Sequence, residues 1–311
     1  MKRFLIRCCV FTLCLLLVAT LCDLWISSKG RASGMRNQKL WNEWYGKNDK
    51  YDVIISGNSR AMVQYDPTIM DSLLHVDCFN LGFNGSSINR QVIKYKIYRR
   101  THPAPKLIVQ NVDFYTLAIT KGYRVDQLYP YWNDKELVRM FDEYENFTWA
   151  EKWIPCLRYI GYPKFVRQIV RGEDEDKVLY KGYRPYEKEW DARNLEEAIE
   201  NGGQEYSRDP LAIQLLCSFI KEVKADGSEI ILVHAPMYSK TYNGLINEPE
   251  KMFALYDSIA TVSGIRVLDY TNMPFSNDTT YFYNGTHMNK KGAEIFTRQL
   301  AHDIDSLGLL K

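Results

Sequence analysis

Short apolar runs alternate with segments of helical periodicity along most of this chain. The apolar runs are typical of buried strands, and they are 52–56, 76–81, 107–112, 230–233 and 265–268. The helical segments have apolar residues every three or four positions, and they include 67–74, 86–100, 210–226, 252–262 and 289–307. The pattern therefore predicts strands and helices in alternation.

Strands that alternate with helices are typical of a parallel sheet, because each helix carries the chain back to the edge from which the next strand starts. We therefore predict the α/β class, as a three-layer α/β/α sandwich around a five-stranded, mainly parallel sheet. In such folds the functional site lies at the carboxyl ends of the strands. The loops that follow the predicted strands are the places to search for it.

The alternation is interrupted between the third and fourth predicted strands. Residues 114–207 are rich in tyrosine, tryptophan and charged residues, and they are too many for a loop. We predict that they form a mostly helical insertion in a domain that otherwise covers 51–311. The aromatic side chains of the insertion could stack on sugar rings as a lid, or they could pack against one another in a core.

The N-terminus has the pattern of a membrane-targeting segment. Three basic residues within the first seven positions precede an uncharged run, 8–22. By the positive-inside rule the basic end stays in the cytoplasm and the rest of the chain is exported. The run is short for a membrane span, so a cleaved secretory signal peptide is the alternative. No clear Ala-x-Ala cleavage site follows the run, and we therefore expect residues 1–27 to be a retained signal anchor of a single-pass protein of the cell membrane. Residues 28–50 would form a juxtamembrane linker with a short helix near 40–45.

Composition narrows the classes of function. The formal charge is +2, from 40 basic and 38 acidic residues, so we do not expect nucleic acid or another polyanion as a partner. The sequence contains no C-x-x-C pair and no His/Asp spacing typical of a metal site. We therefore expect neither a metal nor another cofactor.

Two segments near opposite ends of the chain carry residues suited to nucleophilic catalysis. Ser59 follows the first predicted strand within the tetrapeptide Gly-Asn-Ser-Arg, 57–60, where a strand-to-helix turn would expose its hydroxyl. A serine hydroxyl needs a neighbouring base, and His287 precedes the last predicted helix. Each residue alone has a simpler interpretation, since the serine could cap a helix and the histidine could lie in ordinary packing. His234, after the fourth strand, is the second candidate for the base.

The blocks around these residues form a recognisable pattern. Residues 80–87 read N-L-G-F-N-G-S-S, and residues 286–293 read T-H-M-N-K-K-G-A. With the serine after the first strand, these blocks resemble those of the SGNH (GDSL-like) hydrolase superfamily, whose fold is flavodoxin-like. The N-terminal anchor and the Gly-x-Ser-Arg block are most similar to the membrane-anchored cell-envelope relatives of the DltD and alginate O-acetylation type. The resemblance covers about 51–112 and 209–308.

The resemblance implies roles for individual residues. Ser59 matches the nucleophile and His287 the general base. Gly82 matches the glycine whose N–H lines the oxyanion hole together with that of Ser59. Asn284 stands where the family has the aspartate that orients the histidine. An amide can orient an imidazole, but it does not stabilise the imidazolium as a carboxylate does.

Further departures from the family leave alternatives open. The Gly-x-Asn block after the third strand is missing, so Asn84, or less favourably Asn111, could supply a second oxyanion donor. Asp269 or Asp278 could orient the histidine in place of the missing carboxylate. Arg60 could hold an anionic substrate or pair with an acid. Either other residues of this chain therefore replace the missing members of the family's catalytic site, or the catalytic rate is lower than in the family.

The resemblance implies an extracytoplasmic serine esterase or O-acyltransferase that acts on acyl esters of a cell-envelope glycan, with acetyl as the expected group. Its partners would be that polysaccharide, the membrane that holds the anchor, and, for transfer, a membrane protein that donates the acyl group. The alternative is a catalytically silent SGNH-fold protein that binds or assembles envelope components. Asn284 and the missing third block motivate this alternative.

Overall fold

The computed structural model describes residues 1–46, 50–122, 125–172 and 180–310. The chain forms two compact units, of which the first combines 1–45 with 121–176 and the second combines 46–120 with 177–311. The residues predicted as one insertion, 114–207, are thus divided between the two units. A few positions of that segment and of the predicted linker lie outside the described residues.

Helices and strands follow one another along the described chain in this order: α1 (Lys2–Arg31), α2 (Arg36–Trp44), β1 (Val53–Ser56), α3 (Ser59–Gln64), α4 (Pro67–Leu74), β2 (Cys78–Asn80), α5 (Ile88–Arg99), β3 (Leu107–Asn111), a 3-10 helix (Val125–Tyr131), α6 (Lys135–Glu145), α7 (Trp149–Trp153), α8 (Leu157–Ile160) and α9 (Pro163–Arg171). The remaining elements are α10 (Arg193–Glu200), α11 (Pro210–Ala225), β4 (Glu229–His234), α12 (Ser239–Gly244), α13 (Pro249–Ser263), β5 (Arg266–Asp269), a second 3-10 helix (Thr279–Tyr281), β6 (Phe282–Asn284), β7 (His287–Met288) and α14 (Lys290–Ser306).

The second unit is built on a five-stranded sheet in the order β2-β1-β3-β4-β5. All neighbouring strands pair in parallel, which confirms the predicted α/β class and its five-stranded sheet. This order, with the first strand between the second and the third, is that of flavodoxin-like folds. The connections from β1 and β3 diverge, and the crevice between the carboxyl ends of these two strands is where such folds bind ligands.

The central strands read as unbroken apolar runs because helices cover both faces of the sheet. Every residue of β1 and β3 is buried. Helices α3, α4 and α14 pack together, and α5, α11 and α13 form a second packed group; right-handed crossovers place these two groups on opposite faces. Burial of each large aliphatic side chain contributes about 1.5–3 kcal/mol. The buried side chains of the central strands therefore hold the sheet between the two groups of helices.

A short antiparallel hairpin, which the sequence pattern does not predict, precedes the last helix of the second unit. In this hairpin β6 pairs with β7, with Phe282 opposite Met288 and Asn284 opposite His287. The side chains of Phe282 and Met288 are completely buried. The two apolar residues therefore hold the hairpin in place, and the carbonyl of the buried Gly285 in its turn accepts hydrogen bonds from the Tyr238 N–H (3.1 Å) and the Thr241 hydroxyl (2.6 Å).

The first unit is organised around α1. Every residue of α1 up to Val18 is exposed, whereas Asp23, Ser27 and Gly30 are buried along one face. Within this unit α1 packs against the first 3-10 helix and against α9. By length and apolar composition, α1 is able to cross a membrane.

Asn80, at the end of β2, joins that strand to α3, and its replacement should destabilise the second unit. Its side chain donates hydrogen bonds to the carbonyls of Ala61 (2.7 Å) and Tyr65 (3.0 Å) and accepts one from the Gly82 N–H (2.8 Å). Because Asn80→Ala removes the partner of these three buried groups, we expect the free energy of unfolding to fall by about 2–4 kcal/mol. Urea unfolding of the detergent-solubilised chain measures this change.

The matched control for this prediction is Asn84→Ala, since Asn84 lies in a half-exposed turn of the same loop. Its free energy of unfolding should stay within about 0.5 kcal/mol of the parent value. Equal losses in the two variants would contradict the role given to Asn80.

Candidate active site

Ser59 lies where the first strand of the sheet turns into a helix. Between them, Gly57 has a φ of 155°, and a Cβ there would lie 2.7 Å from the Ala61 Cβ and 2.9 Å from the Asn111 Cβ. The turn therefore requires glycine. Asn58 caps α3 by accepting a hydrogen bond from the second backbone N–H of that helix. Ser59 consequently occupies the first position of α3, with a half-exposed side chain.

His287 reaches the same place from near the other end of the chain, on the β6–β7 hairpin. Its Nε2 atom lies 2.8 Å from the Ser59 Oγ, which is a distance suited to proton transfer. Both residues are half-exposed, so a molecule in solvent can approach the pair. The structure thus brings together two predicted site residues that are 228 positions apart in the chain.

The other ring nitrogen of His287 faces two polar side chains. Its Nδ1 lies 3.1 Å from the Asn284 Oδ1 and 2.8 Å from the Thr286 Oγ1. The same amide oxygen accepts hydrogen bonds from the backbone N–H groups of Thr286 (3.1 Å) and His287 (2.9 Å), which fix its orientation. This arrangement favours a proton on Nδ1 and leaves Nε2 free to accept one from the serine. Thr286 is a member of the site that the sequence analysis does not name.

The electrostatic environment keeps the imidazole neutral. Although the residue is half-exposed, both of its ring nitrogens face protein groups; the resulting desolvation lowers the pKa of His287 to about 3, and the Arg60 guanidinium acts in the same direction. The Asp113 carboxylate opposes this shift without cancelling it. The imidazole can therefore act as a base at pH 7. Because no carboxylate of the described residues hydrogen-bonds to it, an imidazolium formed there would be stabilised by dipoles alone.

A buried polar network lies beneath this pair and joins the ends of β1 and β3. The Asp113 carboxylate, which follows β3, accepts a hydrogen bond from the Asn58 Nδ2 (2.8 Å) and lies 3.6 Å from the Arg60 Nη1. The Arg60 guanidinium also donates to the carbonyls of Ala235 (2.5 Å) and Pro236 (3.1 Å). Arg60 and Asp113 are each 2% exposed. The structure therefore places Arg60 in the interior, paired with an acid.

Asp113 is another member of the site that the sequence patterns do not indicate. Its other carboxylate oxygen accepts hydrogen bonds from the Tyr115 N–H (2.9 Å) and the Thr116 hydroxyl (3.1 Å), so both oxygens are held. By binding Asn58, the carboxylate fixes the cap of α3 and the serine that follows the cap. The feature of the sequence that could have indicated this role is the position of Asp113, a charged residue shortly after a buried strand.

The loop after β2 contains the two predicted oxyanion donors. The Gly82 N–H donates to the Asn80 Oδ1 (2.8 Å), so this donor already has an acceptor. A Cβ at Gly82 would lie 2.5 Å from a backbone nitrogen of α3, which shows that the glycine allows the loop to pack closely on that helix. Asn84 is half-exposed in a turn that a bond from the Ser86 N–H to the Phe83 carbonyl (3.2 Å) closes.

That turn lies next to the loop that carries the serine. The Phe83 N–H donates to the Gly57 carbonyl (3.2 Å), which aligns the two loops. Among the hydrogen bonds of the described residues, the N–H groups at 82, 83 and 86 have acceptors, whereas those of Asn84 and Gly85 have none. Within this loop, the backbone N–H groups of the turn, at Asn84 and Gly85, are therefore available to donate hydrogen bonds to a ligand.

The second candidate base and the second candidate amide have other partners. His234 is buried against the rings of Phe253 and Tyr256, and this burial lowers its pKa. The Oδ1 of Asn111 accepts a hydrogen bond from the Tyr65 hydroxyl (2.9 Å). Both side chains belong to the core of the second unit.

The two alternative carboxylates are also engaged locally. Asp269 and Asp278 each accept a hydrogen bond from the backbone N–H two positions further along (2.9 Å in both cases).

Within the described part of the chain, no group of three or more His, Cys, Asp or Glu side chains is arranged to hold a metal ion.

Stacked rings lead from the histidine to an open groove. Tyr283 stacks on His287 with ring centroids 5.3 Å apart, and Tyr186 stacks on Tyr283 at 4.6 Å. Tyr186 in turn lines a groove of about 680 Å³. Other residues that line it include Trp190, Thr279, Thr280, Asn289 and Lys290. The groove is therefore two ring contacts away from His287, and it combines aromatic faces with hydroxyl, ammonium and carboxylate groups, the last from Glu187, Glu189 and Glu294.

Comparisons with known proteins give distant likenesses. No protein-family model and no curated protein matches this chain. Similar solved structures include a protein from Bacteroides fragilis assigned as an acylhydrolase, with 14% identity, coverage of 88% of this chain and 95% of that one, and a TM-score of 0.43. A GDSL-like lipase from Bacteroides thetaiotaomicron has 11% identity, coverage of 86% and 98%, and a TM-score of 0.41. An acetylxylan esterase from Geobacillus stearothermophilus, solved as a catalytic mutant, has 10% identity, coverage of 83% and 95%, and a TM-score of 0.41.

The lowered pKa of His287 predicts how modification of Ser59 by a fluorophosphonate depends on pH. Neutral imidazole is the reactive form, so the reaction is present above the pKa and is lost as the pH falls through it. The rate should therefore stay constant as the pH falls past 6.5, the usual value for histidine, and decline only as the pH approaches about 3. Rates of labelling across this range test the prediction.

Asn284→Asp should shift this profile, because a carboxylate beside Nδ1 favours the imidazolium and raises the pKa of the histidine. We expect the acid limb to move towards neutral pH and the labelling rate at pH 7–8 to rise about tenfold or more. The matched control is Asn277→Asp, which adds the same charge at an exposed position and should leave the profile unchanged. Identical profiles in both variants would contradict the orienting role of Asn284.

Proposed function

We propose that this chain is an SGNH-type serine esterase or O-acyltransferase that acts on acyl esters of a cell-envelope glycan. The observation that carries the proposal is the 2.8 Å contact between the Ser59 Oγ and the His287 Nε2 at a half-exposed position. A hydroxyl paired with a neutral imidazole is what nucleophilic acyl transfer requires. The pair also lies after β1 of a parallel sheet, at the edge where α/β folds carry their sites.

In the first half-reaction, the Ser59 Oγ attacks the carbonyl carbon of the ester while the His287 Nε2 takes the hydroxyl proton. The tetrahedral intermediate collapses as the C–O bond to the sugar breaks, and the imidazolium gives its proton to the departing alcohol. The acyl group then remains on Ser59. In the second half-reaction, water or another sugar hydroxyl attacks this acyl-serine with the imidazole again as base. Water gives hydrolysis, and a sugar hydroxyl gives transfer.

Backbone N–H groups supply the oxyanion hole in this proposal. The Ser59 N–H belongs to the first turn of α3, where a helix provides no acceptor of its own. The N–H groups of Asn84 and Gly85 complete the hole, since the Gly82 N–H is already bonded to Asn80. Each donor directed at the developing negative charge lowers the barrier by about 3–4 kcal/mol.

The orienting group is the weak point of the proposed machinery. Asn284 and Thr286 hold the imidazole, but neither carries the negative charge that would stabilise an imidazolium. We therefore expect turnover to be slow relative to enzymes with a full triad. The same feature motivates the second candidate function, a catalytically silent protein that binds or assembles envelope components. The accessible hydroxyl–imidazole pair favours the enzyme.

The groove that Tyr186 lines supports a glycan as the substrate. Tyr186 and Trp190 offer aromatic faces on which sugar rings can stack, while Thr279 and Thr280 offer hydroxyls that can bond sugar hydroxyls. A volume of about 680 Å³ lies within the range of ligand sites. A saccharide chain in the groove would place an ester of one of its sugars near Ser59.

The proposed location follows from α1. With its basic start in the cytoplasm and its apolar length across the membrane, α1 would anchor the chain and leave the second unit outside the cytoplasm. An envelope glycan would then be within reach. For transfer, an acyl-donating membrane protein would be a partner on the same membrane.

Removal of the nucleophile is the direct test of this function. Ser59→Ala should abolish fluorophosphonate labelling and lower the hydrolysis of p-nitrophenyl acetate at least about 1000-fold, because no other group replaces the attacking oxygen. Ser239→Ala, which removes a hydroxyl elsewhere in the second unit, is the matched control and should keep full labelling. If the parent chain is not labelled and Ser59→Ala keeps its full function in cells, the silent binding protein is the correct alternative.

Trp190 tests the substrate class separately from the chemistry. Trp190→Ala removes one aromatic face of the groove, so we expect the KM for an acetylated oligosaccharide to rise about three- to tenfold. Hydrolysis of p-nitrophenyl acetate should not change, since that ester is too small to reach the groove. Trp190→Phe keeps an aromatic ring and should restore most of the affinity. An unchanged KM for the oligosaccharide in Trp190→Ala would rule out this groove as the glycan site.

A further inference from the structure

The uncharged run of α1 is short for a membrane span. Residues 8–22 are 15 positions, which rise about 22 Å in a helix, whereas the hydrocarbon core of a bilayer is about 30 Å thick. The next three apolar residues, Leu24, Trp25 and Ile26, would bring the length close to that thickness. They follow Asp23, so a carboxylate would lie near the outer edge of the hydrocarbon.

The first unit neutralises this carboxylate. The Arg158 guanidinium binds Asp23 through both of its terminal nitrogens, with Nη1 at 2.6 Å from Oδ2. The Cys156 N–H donates to the same oxygen (2.7 Å), and the Cys156 thiol donates to the Ala19 carbonyl (3.2 Å). A paired and hydrogen-bonded charge is far less costly near lipid than a free one. The pairing also places the segment around residue 156 at the level of the last turns of the membrane span.

The segment around Cys156 exposes large apolar side chains, two of which, Trp153 and Ile154, line the same groove as Asp23. Trp149 is 70% exposed, Trp153 is 66% exposed and Ile160 is 71% exposed, and Ile154 is exposed to 37%. These four residues belong to α7, α8 and the link between them, directly beside Cys156. We call them the collar. Tryptophan is enriched where the hydrocarbon of a membrane meets its headgroups.

A small cationic groove accompanies the collar. It has a volume of about 230 Å³ and lies between α1 and the collar, where its lining includes Asp23, Arg31, Lys135, Lys152, Trp153 and Arg158. Of its four basic side chains, Arg158 is paired with Asp23 and Lys152 is paired with Asp142, so Arg31 and Lys135 supply the remaining positive charge. Basic side chains at the edge of an apolar surface attract the phosphates of lipid headgroups.

We infer that the collar is a membrane-docking surface, which inserts into the interface of the outer leaflet around the point where α1 leaves the bilayer. The occupant of this surface is lipid, with acyl chains against the collar and headgroup phosphates at the cationic groove. The inference rests on the proposed retention of α1 as an anchor and is independent of the chemistry at Ser59. The first unit would then rest on the surface of the membrane next to its own anchor.

Tryptophan quenching in vesicles tests the collar on the full chain. The protein is reconstituted into vesicles of phosphatidylcholine and phosphatidylglycerol in which a fraction of the acyl chains carries bromine close to the headgroup. Trp25 on α1, Trp149 and Trp153 are the large exposed tryptophans of the first unit, so each should supply roughly a third of the quenched emission. Trp149→Phe and Trp153→Phe should each remove that share. Trp44→Phe, at a fully buried position of the same unit, should not reduce it.

The outcomes separate the collar from the anchor. If quenching persists unchanged in Trp149→Phe and Trp153→Phe, it comes from Trp25 alone, so the collar lies in water and the inference is wrong while the anchor stands. If the parent chain shows no quenching, α1 is not in the bilayer and the proposed location fails as well. Far-ultraviolet circular dichroism and the thermal midpoint, both expected to match the parent, establish that the variants are folded.

Discussion

The parallel pairing of β1 with β3 is the constraint on which the candidate site depends. It sets the carboxyl ends of the two strands side by side, so that Asp113 after β3 can hold Asn58 after β1. Asn58 caps α3, and the cap fixes the serine that follows it. The position of the Ser59 hydroxyl is therefore set by the register of the sheet through one buried carboxylate. The β6–β7 hairpin then places His287 within hydrogen-bonding distance of that hydroxyl.

The charges of the site are distributed in an unusual way. The buried acid, Asp113, pairs with Arg60 and supports the serine, whereas the imidazole is held by the amide of Asn284 and the hydroxyl of Thr286. Negative charge thus stabilises the scaffold of the proposed nucleophile and not the proposed base. Such a base is neutral over a wide range of pH but holds a proton weakly, so taking the proton of the serine is less favourable for it than for an imidazole that is paired with a carboxylate.

The sequence predicts the sheet, its five strands and the helices on its faces, because apolar periodicity reports burial directly. It also points to Ser59 and His287, which the structure places within hydrogen-bonding distance. It does not predict the β6–β7 hairpin, whose stability comes from two buried residues in a segment too short for a periodic signal. Nor does it predict the partnership of Arg60 with Asp113, since both are polar and distant in the chain, and local patterns describe such residues only as exposed. The sequence also does not predict that 114–207 is divided between two units. This division depends on packing of part of the segment against α1, which is distant in the chain.

The discontinuity of the first unit links its folding to the order of synthesis. Asp23 and Arg158 are separated by 135 positions, so at ordinary rates of translation Arg158 emerges roughly ten seconds after its partner. During that interval the C-terminal part of α1 carries an unpaired carboxylate, while the intervening β1–β3 region has already been synthesised. The first unit is therefore completed only after three strands of the second unit have been made, so its ion pair forms only in a chain whose synthesis has passed residue 158.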